Sequence, residues 1–148
     1  PAAIAHERDE RIKRLAGKID RVIVDAPCSG LGTLRRNPDL KWRQSPQSIA
    51  EMAVKQAAIL ASAARLLKPG GRLVYATCSL MREENEAIAE GFTSQNPGFA
   101  VLPAAEALAP LKLADAASLC IGPGGQYLRL WPHRHDTDGF FAAVWIKK

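Results

Sequence analysis

One local design occurs twice in this chain, and the pair limits what the chain can fold into. The first copy is Val22-Ile23-Val24-Asp25-Ala26-Pro27-Cys28-Ser29-Gly30. Val22 to Val24 are apolar and β-branched, which predicts a short strand buried on both faces. A carboxylate, a proline and a thiol follow, and Gly30 is where the chain turns. The second copy is Arg72-Leu73-Val74-Tyr75-Ala76-Thr77-Cys78-Ser79, another apolar strand ending in Cys-Ser. A long helical pattern lies between them. Strand, helix, strand predicts a βαβ unit with parallel strands. As neighbours the strands lie ~4.8 Å apart, with their carboxyl ends facing one crevice. Open α/β sheets bind their ligands in that crevice.

The connecting helix has a clear start. Ser45 suits the N-cap and Pro46 the first helical position. Ile49, Met52, Ala53, Ile59, Leu60, Ala63, Leu66 and Leu67 then keep a 3–4 spacing, interrupted by Gln56. This predicts a core-packing helix without chemistry. Lys68-Pro69-Gly70-Gly71 ends it. That Gly-Gly pair precedes a strand, so it reads as a turn and not as a phosphate loop. Gly30-Leu31-Gly32 is followed by a proline-containing loop, not a helix, and is also discounted as a nucleotide fingerprint.

Leu31 to Ser45 reads as a loop. Arg35, Arg36, Lys41 and Arg43 surround Trp42 against one acid, Asp39. Basic residues interleaved with an aromatic suit phosphates and a stacked base. The other reading is a solvated loop with Trp42 tucked into the core, and spacing does not choose between them. Upstream, residues 1–20 are highly charged, with Ile12, Leu15 and Ile19 as a thin apolar stripe, which predicts a short surface helix. Downstream, Glu83, Glu84 and Glu86 cluster at the start of a helix that ends before Asn96, where a macrodipole favours acids. A short strand over 99–102, a short helix over 104–109, a packed Cys120 and an antiparallel hairpin of 126–131 with 140–146 complete the pattern. His133 and His135 lie in its polar turn and lack an obvious third metal ligand.

The totals suit one domain: 148 residues, 47% hydrophobic and 24% charged, with no apolar run of membrane-spanning length. Three cysteines at irregular spacing fit neither a disulfide framework nor a zinc site, so a reduced, cytoplasmic setting is expected. The net charge of +5 leans toward an anionic partner. The chain opens on Pro1, so its natural N-terminus is expected to be missing and targeting is not judged from this end.

The strand ends carry the chemistry. A thiolate is a strong nucleophile when its pKa is lowered, and a helix N-terminus lowers it. Cys78 has a helix starting a few residues on, and Cys28 has none, so their roles should differ. Glu83 and Glu84 work against that dipole. Asp25 can accept from an amine or a sugar hydroxyl, and Pro27 stiffens the turn that aims Cys28.

Asp-Ala-Pro-Cys-Ser-Gly at 25–30, Arg-Arg-Asn-Pro-Asp-Leu-Lys-Trp at 35–42 and Ala-Thr-Cys-Ser at 76–79 closely resemble the RNA cytosine-5 methyltransferases of the RsmB/Nop2/Sun type. Glu84-Asn85-Glu86 and Thr137-Asp138-Gly139-Phe140-Phe141 also match, and the resemblance runs from about residue 18 to the end. It implies an α/β fold: the C-terminal part of a class I S-adenosylmethionine-dependent methyltransferase, a mostly parallel sheet with a final antiparallel hairpin. It implies that Cys78 attacks carbon 6 of a cytosine, that Cys28 assists its release, and that Asp25 lies where S-adenosylmethionine and the base meet. Pro27, Arg35, Arg36, Lys41 and Arg43 would contact the RNA, an rRNA or tRNA. No membrane or metal partner is implied. The family's Gly-rich cofactor loop and acidic ribose-binding strand end are not in this sequence. The chain is therefore expected to be the second part of a catalytic domain, inactive by itself. Two other readings stay open: a non-catalytic RNA-binding module, and a thiol redox enzyme pairing Cys28 with Cys78.

Overall fold

The computed structural model describes residues 10–148, so the charged residues His6 to Asp9 lie outside the described part. The first described element is a short helix, α1 (Glu10–Leu15), followed by strand β1 (Ile19–Asp25). A single helical turn, α2 (Leu40–Arg43), interrupts the basic loop, and the long helix α3 (Pro46–Ala64) follows. Then come β2 (Leu67–Thr77), α4 (Glu86–Gln95), β3 (Phe99–Val101) and α5 (Ala104–Leu108). The chain closes with β4 (Cys120–Ile121), β5 (Tyr127–Leu130), the turn α6 (Pro132–His135) and β6 (Phe140–Lys147).

The expected βαβ unit is present: β1 and β2 pair in parallel, with Asp25 opposite Ala76. Helix α3 starts where the caps place it. Ser45 Oγ accepts from Ser48 N, and Ser48 Oγ accepts in return from Ser45 N. It stops at Ala64, short of Leu67. The Arg65 and Leu66 carbonyls accept from Gly17 N and Ile19 N instead, and these bonds begin the next strand. The expected turn at Lys68 to Gly71 is corrected: these residues lie inside β2, as an irregularity where the register jumps from Ile19–Leu67 to Arg21–Arg72.

The sheet order is β1-β2-β6-β5-β4, with β3 on the far end of β6. Strands β1, β2, β3 and β5 point one way, and β4 and β6 point the other. The expected hairpin of β5 and β6 forms, with β6 inserted between β2 and β5. Leu60, Leu73, Tyr75, Phe92, Phe141 and Trp145 form the core under α3 and α4. The Phe92 ring meets Trp145 edge-on at 4.9 Å.

The expectation that β1 is buried on both faces is corrected. Val24 is in the core, but Ile23 is 73% exposed. Strand side chains alternate between faces. Val22 and Val24 point toward α3, and Ile23 points to the other face of an edge strand, where no described element covers it. No described helix is long and apolar enough to cross a membrane.

Candidate active site

Parallel pairing brings the two strand ends level, and the chain leaves each of them through a Cys-Ser turn. Ala26 N donates to Ala76 O at 2.9 Å, the last bond between the two segments before they part. Beyond it, Cys28 Sγ and Cys78 Sγ are 3.4 Å apart, both free thiols and both half-buried. Gly30 turns the chain with φ +72, a left-handed conformation that suits glycine. Gly32 then passes close behind Cys78. Gly32 N donates to Cys78 O at 2.8 Å, and Gly139 N donates to Gly32 O at 2.7 Å. Gly30-Leu31-Gly32 is thus a close-packing device that joins both strand ends to the start of β6.

The two thiols are unequal. Cys78 is lowered to about 7, first because the Cys28 thiol donates a hydrogen bond to its sulfur, with its own backbone N–H helping. Burial and the charges of Asp25 and Glu84 oppose this. Cys28 is pushed up, because that hydrogen bond holds its proton and because it is buried. The expected cause, a helix N-terminus, is corrected. Cys78 is followed by a 3-10 turn (Arg82–Glu84), and α4 starts only at Glu86. A macrodipole acts within its first turn, and this one is too far along the chain.

The clustered acids also differ from expectation. Glu84 is fully buried beneath the thiols. Its Oε1 accepts from Ser29 N at 2.8 Å and from Gln56 Nε2 at 3.1 Å. Its Oε2 accepts from Ser29 Oγ at 2.5 Å and from Ser79 Oγ. Gln56 Nε2 also donates to Pro27 O at 2.9 Å. Helix α3 is therefore not a purely apolar packing element, because Gln56 reaches the turn behind Cys28. Asn85 Nδ2 donates to Ser79 O at 2.9 Å, and Thr77 Oγ1 bonds Asn85 Oδ1. Arg129 is 3% exposed and donates to Leu80 O at 2.9 Å, with its guanidinium 4.3 Å above the Trp131 ring. The sequence offered faint signals for these residues: a serine after each cysteine, one polar residue on an apolar helix face, and an arginine in phase with Tyr127 on β5.

Asp25 is exposed at the end of β1, beside the thiols. The basic loop is tied to the turn that leads into β6. Arg35 Nη1 is 3.4 Å from Asp136 Oδ1, and Arg36 pairs with Asp138. Arg43 Nη2 is 2.5 Å from Asp39 Oδ2, within the loop itself. Lys41 Nζ lies 4.9 Å over the Trp42 ring. Trp42 is 80% exposed, which decides against its being tucked into the core. His135 Nδ1 accepts from Trp131 N at 2.9 Å, so it caps its own turn. Among the described residues no three metal-ligating side chains converge. The site thus offers a nucleophilic sulfur, a neighbouring thiol that holds a proton, and an exposed carboxylate at one open edge.

The family described as 16S rRNA methyltransferase RsmB/F matches residues 2–146. Ribosomal RNA small subunit methyltransferase B of Salmonella arizonae is 43% identical over 131 residues, covering 88% of this chain and 27% of that protein. Among solved structures, PH0851 superposes with a TM-score of 0.77 at 42% identity, over 89% of this chain and 27% of that one. NSun6 from Pyrococcus horikoshii, solved with SFG, gives a TM-score of 0.69 at 32% identity, over 93% of this chain and 32% of that one. The chain spans about a quarter to a third of the length of these relatives. With the family match running over nearly its whole length, the chain belongs to the 16S rRNA methyltransferase RsmB/F family.

Proposed function

We propose that this chain carries the strand-end part of the catalytic site of an enzyme that methylates carbon 5 of cytosine in RNA, with rRNA as the expected substrate. Carbon 5 of cytosine is a poor nucleophile until a thiolate adds next door, so covalent catalysis divides one hard step into easier ones. Cys78 Sγ attacks carbon 6 of an unstacked base. Once carbon 5 has taken the methyl group, with the donor's methyl–sulfur bond broken, a base removes the proton there and the Cys78–carbon 6 bond breaks, its electron pair returning to the sulfur. Cys28, which holds its proton 3.4 Å away, assists that release. The observation that carries this reading is the placement of the pair: two free thiols, from the ends of two parallel strands, with their sulfurs 3.4 Å apart.

S-adenosylmethionine supplies the methyl group as a sulfonium cation, and the exposed Asp25 carboxylate beside the thiols fits a positive donor there. The remaining cofactor contacts belong to a Gly-rich loop and a second acidic strand end that this sequence does not contain. Pro27, Arg35, Arg36, Lys41 and Arg43 serve the RNA, and the exposed Trp42 gives a base a face to stack on. That same surface is what a non-catalytic RNA-binding module would use, and binding of the methyl donor by the full-length protein separates the two readings.

The test is a denaturing gel of the full-length protein with substrate RNA and S-adenosylmethionine. Cys78→Ala should lose methylation and covalent attachment together. Cys28→Ala should accumulate a protein–RNA species that survives denaturation, because the adduct forms and is not released. An adduct with Cys78→Ala but not with Cys28→Ala would reverse the two roles. No adduct from either variant, with a mobility shift of the parent under mild oxidant, would favour thiol redox chemistry.

A further inference from the structure

The two cysteines come from turns 50 residues apart, yet their sulfurs are held at hydrogen-bond distance. Neither thiol is fixed by a disulfide. Gly32 N bonds Cys78 O, and the Ser29 and Ser79 hydroxyls meet at 3.2 Å; the remaining bonds that hold the turns together lie one layer below, at Glu84. The serine after each cysteine is buried, and both hydroxyls bond the same carboxylate oxygen, Oε2. The other oxygen takes the backbone N–H of Ser29 and the amide of Gln56, which also holds the Pro27 carbonyl. Tyr75 Oη, from β2, donates to the Glu84 carbonyl at 2.6 Å and fixes the backbone of the residue itself. An ionised carboxylate only accepts, and here four donors converge on it. Among the described residues no cation pairs with it, so these donors alone compensate its burial. A buried charge held this way tolerates little movement, because each lost bond exposes an unpaired donor.

We propose that Glu84 is the positioning residue of the thiol pair: its carboxylate clamps the two Cys-Ser turns and thereby sets the sulfur–sulfur spacing. The inference rests on the assignment of Cys78 and Cys28 above. Glu84 touches neither sulfur and acts through Ser29 and Ser79. When the clamp loosens, the Cys28 thiol no longer reaches Cys78, and the Cys78 thiolate loses the hydrogen bond that favours it.

Charge and position pull in opposite directions, and this makes the proposal decidable. The Glu84 charge by itself disfavours the Cys78 thiolate. Removing the charge with no change in spacing would make Cys78 more acidic, whereas losing the spacing makes it less so. The experiment is alkylation of the full-length protein by iodoacetamide as a function of pH, with no RNA or methyl donor. Cys78 is read on the tryptic peptide 73–82 and Cys28 on 22–35, which trypsin separates. In Glu84→Gln the Cys78 midpoint should rise toward an ordinary thiol, and alkylation at pH 7 should slow roughly tenfold. Ser79→Ala removes the side-chain bond between the turn of Cys78 and Glu84, and should move the midpoint the same way. It decides the question if Glu84→Gln does not fold by circular dichroism. A midpoint that is unchanged or lower in a folded variant overturns the proposal. A shifted midpoint with no RNA adduct from Cys28→Ala would instead refute the methylation reading and leave the clamp standing.

Discussion

Replacing Gly32 with alanine tests how tightly the strand ends are packed. Gly32 is not among the glycines with positive φ, so an alanine is compatible with the backbone and any cost comes from crowding. A Cβ there would lie 2.4 Å from Gly139 O and 2.6 Å from Cys78 O. Both neighbours are backbone atoms, so neither can swing aside as a flexible side chain would. Overpacking of this kind costs about 1–3 kcal/mol. The Gly32 N–H bond to Cys78 O and the Gly139 N–H bond to Gly32 O would both stretch, at about 1 kcal/mol each. The sum is roughly 3–5 kcal/mol, a large part of the ~5–15 kcal/mol that holds a domain folded. With an m-value near ~2 kcal/mol/M, the urea midpoint should fall by roughly 1.5–2.5 M. The buried Trp145, packed edge-on against Phe92, is a built-in fluorescence reporter for the unfolding curve. A loss below ~0.5 kcal/mol, the size of an unremarkable surface change, would refute the claim that these backbones are locked together.

Gly91, inside α4, has open space where an alanine methyl group would sit, so Gly91→Ala should stabilise the chain by about 0.5–1 kcal/mol in the same assay. With Cys78 lowered to about 7, its alkylation should rise through neutral pH and level off above it, while Cys28 should stay slow until well above pH 9, and the reverse order would exchange their roles. Replacing Arg35, Arg36, Lys41 and Arg43 with alanine in the full-length protein should flatten the slope of log RNA affinity against log salt by about 0.7 for each phosphate no longer neutralised, and an unchanged slope would return the loop to solvated surface. The 148-residue chain should bind S-adenosylmethionine more weakly than micromolar by isothermal titration, and micromolar binding would show that Asp25 and its neighbours need no Gly-rich loop.

Local pattern was enough to determine much of the fold. The strand of Val22 to Val24, the caps of α3 at Ser45 and Pro46, the turn at Gly30 and the final hairpin are all set by residues within a few positions of one another. Turn chemistry, capping and periodicity act at that range. The two Cys-Ser strand ends were legible for the same reason, since a βαβ unit dictates that its strand ends face one way. Tertiary structure decided the rest, because it turns on which surfaces meet. Glu83, Glu84 and Glu86 look alike in a sequence, yet the 3-10 turn that carries Glu83 and Glu84 buries only Glu84 beneath both strand ends, where four donors await it. Val22, Ile23 and Val24 look alike too, and the position of β1 at the sheet edge leaves Ile23 uncovered. The acidity of Cys78 reads in sequence as a helix effect, but it comes from a thiol 50 residues away in the chain. A hydrogen bond between sulfurs depends on tenths of an ångström, and only the packing of both turns on one carboxylate fixes distances that finely.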